Sequence, residues 1–538
     1  MSRPLLVVNG RLWSGVPLDA DAVLVRDGAI SALGRSGELA VPGARVIDAA
    51  GATVTPGLTD AHVHFVPWAR ARRQPDLHGS RTRAEVLARL ASALADLPAG
   101  VEPLVGRGWD EDGWEVGPDR AALDALAPDR PVLLHRHDFH ALWVNSAALR
   151  AAGVTRRTSD PGGGRFERDT TGEPTGLVRE HAVQAFQALE DGAAPAIDDT
   201  LLDDAAHALH AEGITTVHDY QRNHRDWLRM RALATRGRLR VLQHIGPEQL
   251  RAARELGLEA GGGDTCFRTG SLKLFADGTL GSRTALLLAR YDDADTTGMA
   301  LLSPAELRAW VGEAAAAGFS VAIHAIGDGA VRNALDAIEA HHAALSRLAL
   351  PPRIEHVQLL DAADLRRFAA LGVAASMQPQ HATTDAPVAR RAWGARCGLS
   401  YPWAALHAAG ARLVFGSDAP VEPPFARLGL ASAVRRIGAD GLPFELQQAV
   451  SMDVALAAYT QDAAVLAGGR LGPGTLAVGA PGDLVVWDRD LHHTEPAHIG
   501  EARPSFTALA GQIVYDSQLE SAGATPHGSP ARDIGNSR

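Results

Sequence analysis

The sequence is short of lysine, cysteine, net positive charge and long apolar runs. Of its 52 basic residues a single one, Lys273, is a lysine, and the others are arginine. Cys266 and Cys397 lie far apart, so neither a disulfide framework nor a thiolate metal site is expected. The net charge of −11 argues against nucleic acid or an anionic membrane as a partner. No apolar run approaches the ~20 residues of a membrane span, and the start shows no signal-peptide pattern, so we expect a cytoplasmic protein.

The two ends of the 538-residue chain carry similar strand patterns. Short apolar runs separated by turn residues occupy residues 1–54, and they return in residues 471–520 after a stretch rich in Gly and Pro. Neither end is long enough to bury a core alone, so we predict that both complete one small β-sandwich. The tail, residues 521–538, has little to bury and is predicted to be disordered.

Residues 55–470 alternate apolar runs with segments of helical period, which is typical of repeated βα units. The predicted strands are Thr53–His64, Ile214–Asp219, Leu239–Ile245, Ser271–Phe275, Phe319–His324, Arg353–Val357, Val373–Met377 and Ala411–Ser417. Eight is the number that a TIM barrel needs. Residues 66–205, rich in Trp, Asp, His and Gly, interrupt this rhythm. The predicted fold is an α/β TIM (β/α)8 barrel with a large insertion after strand 1, which we expect to cover the active site, plus the terminal β-sandwich.

Side chains that bind metals end four of the eight predicted strands. His62 and His64 share one face of the first strand, because residues i and i+2 of a strand point the same way, and two such imidazoles can grip one ion. This pattern alone is weak evidence in a chain with 22 histidines. Three further strand ends carry His324, His356 and Asp418, however, and TIM-barrel sites are built on this rim.

The spacing of these residues agrees with one barrel register, since a ~250-residue barrel has roughly 31 residues per βα unit. His324 and His356 are 32 positions apart, and His356 and Asp418 are 62 positions apart. Lys273 precedes His324 by 51 positions, which is one unit with a longer loop and places it on the fourth strand. Strand alternation turns Leu272 and Leu274 towards the helices, so we predict that Lys273 faces inward. Divalent cations would repel an ammonium there. A deprotonated amine can instead add carbon dioxide and become a bridging anion, which arginine cannot do.

Seven motifs together resemble the metal-dependent amidohydrolase superfamily and, within it, the amidohydrolase-3 branch with its N-substituted formamide deformylases. The motifs are Thr55–His64, Leu272–Arg283, Val321–Asp328, Arg353–His356, Gln378–His381, Gly416–Pro420 and Gly479–Val486. The resemblance extends over essentially the whole chain.

This resemblance implies a hydrolase with a binuclear metal site. The implied ligands are His62, His64 and Asp418 for the more buried ion, His324 and His356 for the more exposed ion, and carboxylated Lys273 bridging both. Zinc is the usual metal, and the carbamate leaves the centre with about +1 rather than about +3 charge. Asp418 would be the catalytic base, moving a proton from the attacking water to the leaving nitrogen. The implied reaction is hydrolysis of an exocyclic amide C–N bond, other than a peptide bond, in an N-acyl or N-formyl amine.

Four further residues are candidate substrate contacts: His140 and Trp109 in the insertion, Arg283 after strand four, and His381 after strand seven. Three of them have structural alternatives, because His140 can organise a polar loop, Trp109 can pack in the insertion's own core, and Arg283 can tie down its loop. We expect a small-molecule substrate and a homodimer. Two other functions stay open: hydrolysis of an ester, carbamate or cyclic amide at the same site, and a non-catalytic relative that binds or regulates.

Overall fold

The computed structural model describes residues 3–39, 41–95, 102–111, 114–137, 139–193, 197–220 and 224–521. It divides into two compact units, one formed by Met1–Phe65 together with Ala206–Arg538 and the other by Val66–Ala205. Most of the tail that the sequence predicts to be disordered lies outside the described residues.

The strands fall into four groups along the chain. The N-terminal strands are β1 (Leu5–Val8), β2 (Arg11–Leu12), β3 (Ala22–Arg26), β4 (Ala29–Gly34), β5 (Arg45–Asp48) and β6 (Thr53–Pro56). The first barrel strand is β7 (Leu58–Val63), and the insertion carries β8 (Leu104–Trp109), β9 (Val132–Arg136), β10 (Ala141–Val144), β11 (Gly164–Arg168) and β12 (Pro174–Glu180). The other barrel strands are β13 (Ile214–Tyr220), β14 (Arg240–Ile245), β15 (Phe267–Phe275), β16 (Val321–Ala325), β17 (Arg353–His356), β18 (Ala374–Met377) and β19 (Arg412–Phe415). The C-terminal strands are β20 (Leu484–Trp487), β21 (Pro504–Leu509) and β22 (Gln512–Asp516).

The helices before the second barrel strand are α1 (Phe65–Ala71), α2 (Arg83–Ala95), α3 (Arg120–Asp124), α4 (Ser146–Ala151), α5 (Gln187–Ala193) and α6 (Asp199–His210). Those that follow are α7 (His224–Thr235), α8 (Pro247–Glu255), α9 (Pro304–Ala316), α10 (Asp328–Ala340), α11 (His342–Leu345), α12 (Leu365–Leu371), α13 (Pro379–Thr384), α14 (Ala386–Trp393), α15 (Trp403–Ala408), α16 (Ala426–Arg435), α17 (Met452–Tyr459), α18 (Gln461–Leu466) and α19 (Ser517–Ser521). Short 3-10 turns lie at His181–Phe186, Ala362–Asp364, Gly394–Leu399, Leu446–Gln448 and Pro496–Glu501. Across the described parts of the chain, no helix combines the length and the apolar character needed to cross a bilayer.

Eight parallel strands form the barrel, in the order β7, β13, β14, β15, β16, β17, β18 and β19. Each pairs with its neighbour in sequence, and a bridge between Val63 and Ala419 joins the first strand to the segment after the last. These strands are almost entirely buried, because helices cover a parallel sheet on its outer face and side chains fill a small barrel's interior. The predicted TIM barrel is confirmed.

Two sheets from the chain ends pack face to face. The first has the order β4, β3, β1 and β5, and the second combines both termini in the order β2, β6, β20, β21 and β22. One apolar cluster contains Val7 and Val23 from the first sheet together with Val54, Val486 and Phe506 from the second. The two sheets therefore share a core, as the predicted β-sandwich requires.

The predicted strand Thr53–His64 is wrong in one respect, because it is two strands. β6 pairs antiparallel with β20 in the terminal sandwich, whereas β7 enters the barrel. Gly57 separates them at a point of close approach: an ideal Cβ there would lie 2.2 Å from Thr215 Oγ1. A side chain at this position would not fit, so glycine is the residue that lets the chain pass from one sheet to the other.

The insertion after β7 is a unit with its own sheet, in the order β11, β12, β10, β9 and β8. One apolar cluster holds Trp109 and Trp143, and a second holds Leu142 and Phe166. Successive side chains along these strands thus make buried apolar contacts on opposite faces of the sheet. The boundaries 1–54, 55–470 and 471–520 stay predictions, since the terminal strands belong to the same compact unit as the barrel.

Candidate metal centre

The six predicted ligand residues lie on or just after the carboxyl ends of barrel strands. They are His62 in β7, His64 directly after it, Lys273 in β15, His324 in β16, His356 at the end of β17 and Asp418 after β19. Five are buried, and the side chain of His64 is 31% exposed. Because the strands are parallel, their carboxyl ends meet at one rim of the barrel, which is where these side chains come together.

His62, His64 and Asp418 form the tightest group. Nε2 of His62 lies 3.3 Å from Oδ1 of Asp418, and Nε2 of His64 lies 3.4 Å from the same oxygen. The possible ligand atoms of the three residues all lie within 4.8 Å of one another. Two imidazole nitrogens therefore converge on one carboxylate oxygen, a donor set that suits zinc and other divalent transition metals.

The other ring nitrogens of these histidines face hydrogen-bond acceptors. Nδ1 of His62 donates to Oε2 of Glu355 at 2.7 Å, and Nδ1 of His64 donates to the carbonyl oxygen of Tyr220 at 2.9 Å. In a neutral ring each Nε2 then keeps its lone pair, directed towards Asp418. Two lone pairs and a carboxylate oxygen repel one another unless a cation lies between them. The residues present therefore fit a metal ion.

His324 and His356 form the second part of the centre, with ring centroids 4.5 Å apart. Nε2 of His324 donates to the carbonyl oxygen of Gly278 at 3.0 Å, which leaves Nδ1 as its ligand nitrogen. Nδ1 of His356 donates to Oε1 of Gln378 at 2.8 Å, which leaves Nε2. Both rings are thus held by one nitrogen while the other is available to an ion, as in most histidine metal sites.

Lys273 is 5% exposed and its side chain points into the barrel. Its Nζ lies 4.4 Å from the centre of the Tyr220 ring and 5.0 Å from that of Phe275. Burial, and then the charge of Lys273, lower the pKa of His62 to about 4 and that of His324 to about 3. Lys273 is therefore close enough to both groups of histidines to act on each electrostatically.

The protonation states at the centre favour metal binding. Burial lowers the pKa of His62 and His356, so both rings are neutral at neutral pH. Burial raises the pKa of Asp418, but attraction to the imidazoles in their protonated form, led by His62, outweighs it and holds that pKa well below its usual value. Neutral imidazoles and an ionised carboxylate are the forms in which these side chains bind metals.

Two ligand residues have left-handed backbone conformations. φ is 61° at Asp418 and 76° at His356, and Val357 follows with 45°. Such angles are rare for residues other than glycine and concentrate at functional sites. In a regular strand Glu355 and His356 would point to opposite faces, but the turn at His356 brings its ring to 5.1 Å from that of His62.

Two carboxylates that the sequence reasoning missed support this centre. Asp60 accepts the backbone N–H groups of His62 and Ser417 at 3.1 and 2.9 Å, which ties the first strand to the segment carrying Asp418. Glu355 holds His62, as described above. Asp60 is two residues before His62 on the same strand face, and this spacing could have identified it. No comparable signal links Glu355 to His62, which lies 293 positions away.

The predicted substrate residues near the barrel rim have different surroundings. His381 lies in α13, and its ring joins His356 and Asp418 in a second group of possible ligand atoms within 4.8 Å. Arg283 instead forms an ion pair with Asp293 and donates to the carbonyl oxygen of Leu280. These contacts match the loop-tying alternative for Arg283.

The two candidates in the insertion are held within their own unit. Trp109 is fully buried, donates to the carbonyl oxygen of Leu134 at 2.6 Å and lies against the rings of Trp114 and Trp143. These contacts match the alternative in which Trp109 packs in the insertion's own core. Nδ1 of His140 lies 2.8 Å from Oε2 of Glu180, and both side chains of this His–Glu pair are partly buried.

The chain is similar to known proteins over most of its length. Residues 45–515 match the model of the Amidohydro_3 family, described as an amidohydrolase family. YtcJ of Bacillus subtilis (strain 168), named as an amidohydrolase, is 33% identical over 517 residues, which cover 92% of this chain and 96% of that protein. The N-substituted formamide deformylase of Arthrobacter pascens is 28% identical over 96% of this chain and 98% of its own.

The fold of this chain is also similar to that of a solved structure. The crystal structure of an uncharacterized metal-dependent hydrolase from Pyrococcus horikoshii OT3 aligns with a TM-score of 0.75 and 26% identity, covering 92% of this chain and 99% of that one. The resemblance inferred from the motifs is thereby confirmed. Because the family match runs over most of the chain, this protein belongs to the Amidohydro_3 family of amidohydrolases.

Proposed function

We propose that this protein is a binuclear metal-dependent hydrolase that cleaves an exocyclic amide C–N bond in an N-acyl or N-formyl amine. The family supports a hydrolase, and the finer assignment depends on the site. The observation that carries it is the convergence of two imidazole nitrogens, from His62 and His64, on one oxygen of Asp418.

The ligands divide into two sets in this proposal. His62, His64 and Asp418 would hold one ion, and His324 and His356 the other, with zinc as the metal that this nitrogen and oxygen donor set suits. Lys273 would join both sets as a carbamate: its neutral amine adds carbon dioxide, so that one N–C bond forms, one C=O π bond of the carbon dioxide opens to a carboxylate oxygen, and the nitrogen loses one proton. Divalent ions held in this way would supply hydroxide at neutral pH and would polarise a substrate carbonyl.

Asp418 is the group that moves protons in this proposal. Its carboxylate is ionised, 8% exposed and within 3.4 Å of the His62 and His64 rings, so it can accept a proton from the attacking water. It then gives this proton to the departing nitrogen, which must leave as a neutral amine. His381, whose ring stacks at 6.1 Å from that of His356, is a substrate contact in this proposal.

An amide is favoured over an ester by one comparison. The relative from Arthrobacter pascens, which aligns over nearly its whole length, is named for the removal of formyl groups from N-substituted formamides. The substrate proposed here is therefore a small N-formyl or N-acyl amine, hydrolysed to a carboxylate and an amine.

A substrate panel tests this proposal directly. Zinc-reconstituted protein is assayed with N-substituted formamides, N-acyl amines and their matched esters, in which oxygen replaces the amide nitrogen. We expect release of the amine from at least one amide, and loss of this turnover when the metal is chelated. Turnover of esters without any amide would overturn the amide assignment, and no turnover in any class by metal-loaded protein would favour a binding or regulatory role.

A further inference from the structure

A buried charged network lies behind the His62 ring, inside the barrel. Glu355 is fully buried, and its Oε2 accepts from Nδ1 of His62 at 2.7 Å. Its other oxygen, Oε1, accepts the Tyr220 hydroxyl at 2.7 Å and lies 2.6 Å from Nε of Arg353. Nη2 of Arg353 also donates to Oε2 at 3.4 Å. The carboxylate thus has three partners from three different barrel strands.

The partners of Glu355 all present N–H or O–H groups to it. A guanidinium has only donors, and the phenol and the imidazole nitrogen both donate in this arrangement. An ionised carboxylate is a pure acceptor, so Glu355 suits all three partners, whereas a side chain with its own N–H would oppose at least one of them. Arg353 balances the negative charge of Glu355. A buried carboxylate without such a partner would be costly to ionise.

Ordinary strand alternation places Glu355 inside the barrel, and the unusual backbone at the next residue brings His356 in beside it. Arg353 and Glu355 are two apart in β17 and both face the barrel interior. His356 also faces inward, because its φ of 76° departs from the strand conformation. The short run Arg353–His356 therefore supplies one metal ligand and, from the adjacent residue, the carboxylate that contacts a second ligand on β7.

We propose that Glu355 is a positioning residue: it fixes the His62 tautomer with the proton on Nδ1 and so directs the Nε2 lone pair at the metal ion. This inference rests on the proposed metal centre. Without the carboxylate, His62 can carry its proton on Nε2, where the ion binds. Hydrogen bonds from ligand histidines to carboxylates commonly set ring orientation and ligand strength, and their loss lowers metal affinity by roughly 10- to 100-fold.

The Glu355→Gln variant tests this because it keeps the shape and adds an N–H donor. If the new amide faces His62, Nδ1 must accept and the proton moves to Nε2; if it faces Arg353, two donors oppose each other. We expect zinc affinity, measured by competition with a chromogenic chelator, to fall by roughly 10- to 100-fold.

The control is Glu212→Gln, the same change at a buried carboxylate that contacts Arg427 at 3.3 Å. We expect its zinc affinity to stay within about twofold, as for a substitution outside the site. Equal affinity in Glu355→Gln and wild type would overturn the inference.

A second measurement on the wild type does not depend on a variant that folds. Neutron diffraction on metal-free crystals locates the deuteron on His62, and we expect it on Nδ1; a deuteron on Nε2 would refute the role of Glu355. The two proposals fail differently. If wild-type protein binds no divalent ion, the proposed metal centre is wrong, while the tautomer still reports on Glu355.

Discussion

Gly416 lies where the end of the eighth barrel strand passes against the first. An ideal Cβ at this position would lie 2.4 Å from the backbone nitrogen of His62, 2.8 Å from Oδ1 of Asp60 and 2.9 Å from Cβ of His62. Ordinary contacts of a Cβ begin near 3.4 Å, so in Gly416→Ala the two segments must separate by about 1 Å. The same segments carry His62 and Asp418, whose ligand atoms are 3.3 Å apart.

This displacement sets the size of the expected effect. Overpacking in a well-packed core typically costs about 1–3 kcal/mol of unfolding free energy. A misplacement of about 1 Å at a reacting centre can lower the rate roughly 100-fold. We therefore expect Gly416→Ala to lose about 1–3 kcal/mol in denaturant unfolding and at least about tenfold in zinc affinity, measured by chelator competition.

The matched control is Gly398→Ala. An ideal Cβ at Gly398 meets nothing within 4 Å, and the residue is exposed, so zinc affinity should stay within about twofold of wild type. If Gly416→Ala binds zinc as tightly as Gly398→Ala, the contact between the first and eighth strands does not determine the geometry of the centre, and the reasoning fails.

Three further predictions concern single side chains. Lys273→Ala should lose at least about 100-fold in kcat, and short carboxylic acids such as propionate should partly restore it by replacing the carbamate; no rescue at saturating acid would contradict the bridge. Asp418→Asn should lower kcat by about 100- to 10,000-fold in a steady-state assay, and a near-normal rate would remove its role as base. Burial raises the pKa of the Glu212 carboxyl to about 7 from 4.5, so the folded protein holds the carboxyl proton more tightly than the unfolded chain does. The contribution of this proton to the free energy of unfolding is present below pH 4.5 and is lost as pH rises through 7. The loss is about 3 kcal/mol, and the Tm advantage of wild type over Glu212→Gln should shrink between pH 4.5 and pH 8; an advantage that grows with pH would show the sign to be wrong.

The barrel could be predicted because its signals are local. Each barrel strand is a short apolar run, and several end in a residue that can bind metal, so the pattern marks both the strand and the rim of the sheet. The spacing between His324, His356 and Asp418 then gives the register without any three-dimensional information. The structure brings these residues together as that register requires.

The contacts that organise the ligands could not be predicted, because they depend on backbone conformations and distant partners. Strand alternation places Glu355 and His356 on opposite faces, and only the left-handed φ at His356 brings both inward. The division of the first predicted strand at Gly57 depends on the close approach of Thr215, from a strand more than 150 residues away. The packing of Trp109 could not be predicted either, since no local sequence pattern separates an indole in a core from one that lines a binding site.

Metal stoichiometry tests the central claim most directly. Purified protein is stripped of metal, reconstituted with excess zinc, desalted and measured by elemental analysis together with the anomalous signal of its crystals at the zinc edge. We predict two zinc ions per chain, one bound by His62, His64 and Asp418 and the other by His324 and His356. Far less than one ion per chain, or zinc bound away from these residues, would contradict the account.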